Sequence, residues 1–351
     1  MARGTLIRWL LLAALVGALA IAGGWLGLGW LDDRRMSRPI EGLQSPMVFV
    51  IERGTSLRGV VRVLETAGLL EHPGSFARSA MRSGLAARLQ AGEYETRPGM
   101  TPAELLKMLA EGRVLLHPLT LVEGWTALQA LVAVQTHPAI DARLPAGDVT
   151  ELARSLDLGE RSAEGMLFPD TYLFPRGTTD EALLGQARHR LEAVLAEAWE
   201  SRQPELPLAD PYEALILASI VEKETGAPDE RPLIAGVFVN RLRIGMRLQT
   251  DPTVIYGLGA AFDGNLRRAD LQRDTEYNTY TRAGLPPTPI ALAGRAAIEA
   301  ATQPAETDAL YFVATGLGDG RHRFARTLAE HNANVSRYIL ALRNARSGGS
   351  Q

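Results

Sequence analysis

The segment ASIVEKETG, residues 218–226, sets two carboxylates two positions apart at what reads as the end of a helix. Asp210 is placed as N-cap, Pro211 as N1 and Glu213 as the return partner of a capping box, and Gly226 reads as the C′ stop. The helix is therefore expected over about residues 211–225. Positions two apart lie about 200° round a helix, so Glu222 and Glu224 cannot share a face. Glu224 continues Leu217, Ile220 and Val221, whereas Glu222 follows the less apolar Leu215, Ala218 and Ser219. Both stand in the last turn, where the dipole is negative and a carboxylate is disfavoured. Apolar neighbours push the same way. A glutamate held protonated near neutral pH is what general-acid chemistry needs. A solvated helix end without a chemical role has the same local pattern, so both readings stay open on spacing alone.

Two further segments concentrate polar and aromatic side chains. NRLRIGMRLQTDPTVIYG, residues 240–257, offers Arg241, Arg243, Arg247, Gln249, Asp251 and Tyr256, with Asp251-Pro252 as the start of a short helix. Such a set suits a sugar cleft, and equally a connection in which Asp251 is only a cap. EYNTYTRAGLPPTPI, residues 276–290, is a proline-stiffened loop carrying Tyr277, Asn278 and Tyr280. Other chemistries lack their signatures. GLGDG at 316–320 does not lead from a strand into a helix, so it is no dinucleotide fingerprint. The 6 histidines show no metal-ligand spacing, His331-Asn332 included, and no Gly-x-Ser-x-Gly elbow occurs. With 0 cysteines there is no thiolate nucleophile and no disulfide. The formal net charge of −3 gives no basic face for nucleic acid.

The elements that must position these residues give an α+β reading. Residues 9–31 are free of charge over about 23 positions, long enough to span a bilayer. Arg3 and Arg8 ahead of the run favour a cytoplasmic N-terminus, residues 1–8. A cleaved signal peptide is the competing reading, with Ala18–Ala20 as the cleavage site, but the apolar run continues past it. Residues 32–45 read as a polar linker. A small α/β unit follows at 46–115: a strand from Met47, a helix capped by Ser56, a second helix over 75–89 and a short strand near Tyr94. Its last helix has a Thr101/Glu104 capping box and a Gly112 stop. Residues 116–345 read as a larger, helix-rich region with a β-hairpin at 310–325, and 346–351 as a disordered tail.

In combination, EGMLFPDTY, ASIVEKET, VFVNRLRIGMRLQTDPTVIYG, YNTYTRAGLPPTPI and LYFVA resemble the endolytic murein transglycosylase family, also called YceG-like, over nearly the whole chain. The resemblance implies a single-pass inner-membrane protein with a LysM-like small domain and a periplasmic catalytic domain. It implies cleavage of the β-1,4 bond between N-acetylmuramic acid and N-acetylglucosamine, leaving a 1,6-anhydro end and terminating glycan elongation. Peptidoglycan strands are the implied partner, peptidoglycan synthases a further one, and no cofactor or metal is implied. Other lytic transglycosylases carry their acid in an Ile-x-x-x-Glu-Ser pattern; IVEKET is similar, with Thr225 for Ser, and aligns Glu224 as the acid. Glu222 remains the alternative acid. EYNTY resembles the Tyr-Asn loop of those enzymes, implying Tyr277, Asn278 and Tyr280 as substrate-binding. MRLQ resembles their Met-Gln segment more loosely and implies Gln249, although a Gly-Leu-Met-Gln run is absent. A hydrolytic muramidase and a non-catalytic wall-binding scaffold are the other readings.

Overall fold

The computed structural model describes residues 2–348, with side chains from Arg8 to Asn344. The chain divides into two compact units, 1–117 and 118–351.

The first unit begins with α1 (Ala2–Met36). Its stretch from Arg8 to Met36 has a mean hydropathy of 2.1 and is long and apolar enough to cross a membrane. From Trp9 to Leu31 its large apolar side chains, among them Trp9, Trp25 and Trp30, are exposed. The helix does not stop where the apolar run stops. Asp32 is buried and takes a two-pronged bond from Arg78 (Nε 2.9 Å, Nη2 2.7 Å), while Arg82 reaches Asp33 at 2.6 Å. Met36, Ile40 and Leu43 then enter the core of this unit. Residues 32–45 are thus not a free polar linker, because Met36, Ile40 and Leu43 are buried and Asp32 and Asp33 are paired with arginines of α3.

The remainder is β1 (Val48–Ile51), α2 (Leu57–Thr66), α3 (Pro73–Arg82), β2 (Gly92–Glu95) and α4 (Pro102–Glu111). β1 and β2 pair antiparallel with Phe49 opposite Tyr94, whose rings stack at 5.7 Å. Ser56 caps α2, and Thr101 and Glu104 close a reciprocal capping box on α4, which ends at Gly112 in the left-handed region (φ 64°). The helix expected over 75–89 is instead broken at Gly84 (φ 71°), after which residues 85–88 form one tight turn.

The second unit opens with β3 (Leu116–Thr120), α5 (Ala127–Gln135), β4 (Ile140–Asp141), α6 (Val149–Ser155), β5 (Thr171–Pro175), β6 (Thr178–Thr179) and α7 (Asp180–Glu200). β3 pairs with β5, and β4 runs parallel to β6. There follow α8 (Pro211–Glu224), α9 (Arg231–Arg243), α10 (Asp251–Leu258), α11 (Arg268–Gln272) and α12 (Arg295–Thr302). Strands β7 (Tyr311–Ala314) and β8 (His322–Ala325) make the expected antiparallel hairpin, and α13 (Leu328–Gly348) closes the chain. Of the tail expected to be disordered, 346–348 continue α13, and 349–351 lie outside the described residues. The architecture is α+β, with small sheets round a helical core.

α8 is the centre of that core. Every residue from Ala214 to Val221 is buried, against α7, α9 and α12. A helix apolar all round is a central helix. Gly236 lets α9 approach closely: a Cβ there would stand 2.5 Å from the carbonyl of Ala305.

Candidate active site

α8 starts as its sequence predicts but ends differently. Asp210 accepts from Glu213 N at 2.9 Å, whereas the Glu213 carboxylate accepts from Ala209 N rather than closing a box on Asp210. The last helical residue is Glu224, and Thr225 is extended (φ −141°, ψ 136°). Gly226 is not left-handed, so the helix is stopped by Thr225 leaving it, not by a glycine cap. Because α8 is enclosed on all sides, the apolar strip does not distinguish the two glutamates. Their partners do.

Glu222 is committed to structure. Its side chain is 5% exposed, pairs with Arg231 at 2.9 Å and accepts from Gly294 N at 3.0 Å. Burial raises its pKa, against the pull of that amide and of Arg231.

Glu224 keeps some solvent exposure yet has no cationic side chain in contact with it among the described residues. Thr250 donates its hydroxyl to Oε1. Burial raises the carboxyl to about 7, with Asp251 adding to the rise; the Thr250 bond, His322 and Arg241 act against it. Burial, with Asp251 beside it, therefore leaves a carboxyl that exchanges its proton near neutrality. This is the setting of a general acid.

Thr250 is held by a hydroxyl network. Its amide donates to Thr279 Oγ1 at 3.1 Å, Thr253 donates to its carbonyl at 2.8 Å, and the hydroxyls of Thr253 and Thr279 are 2.9 Å apart. The preceding Gln249 is left-handed (φ 49°), a strained conformation for a side chain of this type. It is fixed by its amide bond to Thr279 O (3.1 Å). Arg241, buried in α9, donates to the carbonyls of Leu248 (2.6 Å), Arg247 (3.3 Å) and Leu310 (2.6 Å). One guanidinium thus fastens the 247–250 loop and the start of the hairpin to the same helix.

The expected site residues separate into two groups. Gln249 and Tyr280 belong to the Thr250–Asp251 segment that meets Glu224 through Thr250. Gln249 is exposed beside Thr250, and Tyr280 donates to Asp251 Oδ1 at 2.5 Å. Asp251 is accordingly a partner of Tyr280, not a helix cap; Thr250 occupies the N-cap position of α10. Tyr277 stands in another cluster. Its phenol lies 3.0 Å from Thr288 Oγ1 and its ring is edge-on to Tyr256 at 4.9 Å. Tyr256 in turn donates to the buried Glu164 at 3.2 Å. Asn278 is fully buried. Its amide nitrogen bonds the carbonyls of Asp270, Leu271 and Arg273, and its oxygen accepts from Tyr280 N at 2.8 Å. That corrects the expectation of a substrate contact. With both polar atoms occupied by backbone, Asn278 shapes the loop that presents Tyr280. Arg241 is likewise a clamp rather than a sugar-binding group.

The YceG-like family profile matches residues 49–337 of the sequence. The chain belongs to the YceG-like family. It is 30% identical over 337 residues to the endolytic murein transglycosylase of Bacillus subtilis (strain 168), covering 90% of this chain and 91% of that one. It is also 30% identical to the endolytic murein transglycosylase of Streptococcus pneumoniae serotype 2, covering 92% of this chain and 63% of that longer one. The crystal structure of a yceG-like protein of Listeria monocytogenes superposes with a TM-score of 0.53 at 30% identity, over 83% of this chain and 99% of that chain.

Family motifs contain most of the site, but sequence reasoning missed the parts that act through space. Thr250 lies inside the quoted RLQTDP run, yet nothing local marks it as the partner of a glutamate 26 positions earlier. Glu164 opens EGMLFPDTY and bonds Ala127 N (3.0 Å), Gly165 N (3.2 Å) and Tyr256, joining three elements. Burial raises its pKa, against those three donors. No group of His, Cys, Asp and Glu suited to a metal ion occurs among the described residues.

Proposed function

We propose that the chain is a membrane-anchored endolytic murein lytic transglycosylase with Glu224 as its catalytic acid and base. The observation that carries the reading is the Glu224 carboxyl, raised to about 7 at the end of a buried helix and tied through one oxygen to Thr250. The relatives named endolytic murein transglycosylases support the substrate class. The proposed target is the β-1,4 bond between N-acetylmuramic acid and N-acetylglucosamine.

Protonated Glu224 gives its proton to the bridging oxygen as the bond to C1 breaks, and becomes a carboxylate. The muramic acetamido oxygen assists at C1, as in substrate-assisted glycosidases. The Glu224 carboxylate then takes the proton of the C6 hydroxyl as that oxygen closes on C1. The product is a 1,6-anhydro end, the enzyme returns to its starting form, and no water is consumed. A group that first gives and then takes a proton serves best with a pKa near the working pH. A single carboxyl therefore suffices, and no nucleophilic partner carboxylate is needed. In this reading Gln249 and Tyr280 meet the sugar near this carboxyl, and Tyr277 with Tyr256 forms a further wall.

In this reading α1 is the anchor, with the N-terminus cytoplasmic and the remainder on the outer face of the inner membrane. The small unit would be the LysM-like glycan-binding part, a reading supported by its antiparallel strand pair with two helices inserted between the strands. Cutting close to the membrane would release or terminate strands delivered by peptidoglycan synthases.

The test is product analysis on purified glycan strands with wild type, Glu224→Gln and Glu222→Gln. Wild type and Glu222→Gln should release 1,6-anhydro ends, and Glu224→Gln should lose activity by at least about 100-fold, the scale of a lost general acid. Anhydro product from Glu224→Gln at the wild-type rate would overturn the assignment. Reducing ends heavier by one water would make the enzyme a muramidase, and binding without cleavage by wild type would make it a scaffold.

A further inference from the structure

The loop that carries Thr250 also presents a cation that the proposed mechanism does not use. Between α9 and α10, exposed and buried residues alternate: Arg247 and Gln249 are exposed, Leu248 and Thr250 buried. The loop is held by its backbone. Arg241 takes the carbonyls of Arg247 and Leu248. Thr279 accepts from Gln249 N through its carbonyl (3.1 Å) and from Thr250 N through its hydroxyl (3.1 Å). The next residue, Tyr280, is gripped at both ends. Arg247 Nη1 donates to its carbonyl at 3.1 Å, and its phenol donates to Asp251. Between Arg247 and Asp251 in the chain stands Thr250, whose hydroxyl meets Glu224. Arg247 is thus fixed in the same short ladder of bonds that fixes the partner of the acid.

The arginines of the adjoining segments are consumed by the fold. Arg241 serves three carbonyls, Arg231 pairs with Glu222 at 2.9 Å, and Arg282 pairs with Asp274 at 2.9 Å. Arg247 makes one hydrogen bond and has no carboxylate partner among the described residues. A single bond to a carbonyl needs a donor but not a charge, so the fold does not account for the cation. A guanidinium is a planar fork of donors suited to taking a carboxylate two-pronged. With one nitrogen on Tyr280 O, the fork is oriented and Nε and Nη2 are left without a protein partner. Murein offers such a carboxylate. Its muramic sugar carries a short acidic peptide on the lactyl group, and the bond to be cut leaves C1 of that same sugar. Wherever Glu224 acts, an acidic peptide stands on the ring beside it.

We infer that Arg247 is a specificity-determining residue, which receives a carboxylate of the acidic peptide borne by the muramic sugar under attack. The enzyme then reads the peptide as well as the glycan. The inference rests on the proposal that Glu224 cleaves murein.

The test uses the full chain and two preparations of the same glycan strands, one with free peptide carboxylates and one with those carboxylates capped as amides. The readout is the ratio of kcat/KM for release of anhydro ends on the two. Because both values come from one enzyme preparation, the ratio does not depend on the folded fraction. Wild type should favour the free carboxylates about three- to tenfold, mainly through KM, the range of a charge-assisted bond at an exposed position. Arg247→Gln, which can still donate to Tyr280 O, should cut the two strands at rates within about twofold of each other. A wild type indifferent to capping overturns the inference. So does Arg247→Gln with the wild-type preference intact, which would make Arg247 only a brace for Tyr280. Failure of the parent reading looks different: Glu224→Gln would release anhydro ends from either strand at the wild-type rate, or wild type would cut neither, and the inference would fall with it.

Discussion

Glu224 is a residue at which chemistry and stability oppose each other. A carboxyl near pKa 7 in the fold and near 4.5 in an unfolded chain binds more protons when folded. The stabilisation is therefore complete below about pH 4.5 and is lost as pH rises through 7. Above that, holding the carboxylate costs roughly 3 kcal/mol. Glu224→Gln should accordingly melt higher than wild type at pH 8, with the gap closing towards pH 4.5. Differential scanning calorimetry at the two pH values checks this, and an equal shift at both would refute the burial argument. Thr250→Val tests the hydroxyl. The Thr250 bond favours the carboxylate, so its loss should shift the alkaline limb upward and slow turnover about tenfold, given that a hydrogen bond to a charged group is worth roughly 1.5–3 kcal/mol. Glu222→Gln is the structural counterpart. It leaves Arg231 buried without its nearest carboxylate, at a cost of about 3 kcal/mol in denaturant unfolding, while anhydro-end release per folded molecule stays close to wild type.

At the scale of elements, a loop is brought to a helix end by backbone hydrogen bonds rather than by substrate-facing groups. Asn278 is the clearest case, satisfying three carbonyls and one amide from a fully buried position. Asn278→Ala leaves those groups unpaired and should cost about 2–3 kcal/mol. It should raise amide exchange over 270–281 before anything elsewhere in the unit, and unchanged protection there would refute the role. The same residue shows where sequence reading ends. Thr101 with Glu104, Asp210 ahead of Pro211, and the glycine-flanked hairpin were legible because their physics is local: a cap and its partner lie within four positions. Asn278 in a Tyr-Asn loop, Thr250 before Asp251-Pro252, and His322 at a strand start each look ordinary. Their partners lie 26 to 92 positions away or are main-chain atoms without a sequence signature. Helix geometry separates Glu222 from Glu224, and the two carboxylates have different partners, Arg231 with Gly294 N for one and Thr250 for the other. The preference for one face was not legible, because α8 has no exposed face to compare.

Across the whole molecule, the polar residues after the apolar run make a joint rather than a tether. Asp32 and Asp33 extend α1 past its apolar stretch and pair with Arg78 and Arg82, while Met36, Ile40 and Leu43 complete the first unit's core. A buried Asp in a two-pronged bond to Arg is geometrically specific, and its removal takes away the tie between α1 and α3 while the half-exposed Arg78 returns to solvent. The first unit therefore folds onto the end of its own apolar helix, and force or tilt applied to α1 passes directly into α3. Asp32→Ala should leave the apolar stretch intact yet loosen the joint. In the full chain reconstituted in vesicles, protease cleavage and amide exchange across 33–45 should rise by at least about tenfold relative to wild type, as expected for a local loss of 1.4 kcal/mol or more. Exchange across α8 should not change, since α8 packs against α7, α9 and α12 of the second unit. A joint as protected in Asp32→Ala as in wild type would mean that apolar packing alone holds α1, and that the buried charge pair selects the helix's direction without securing it.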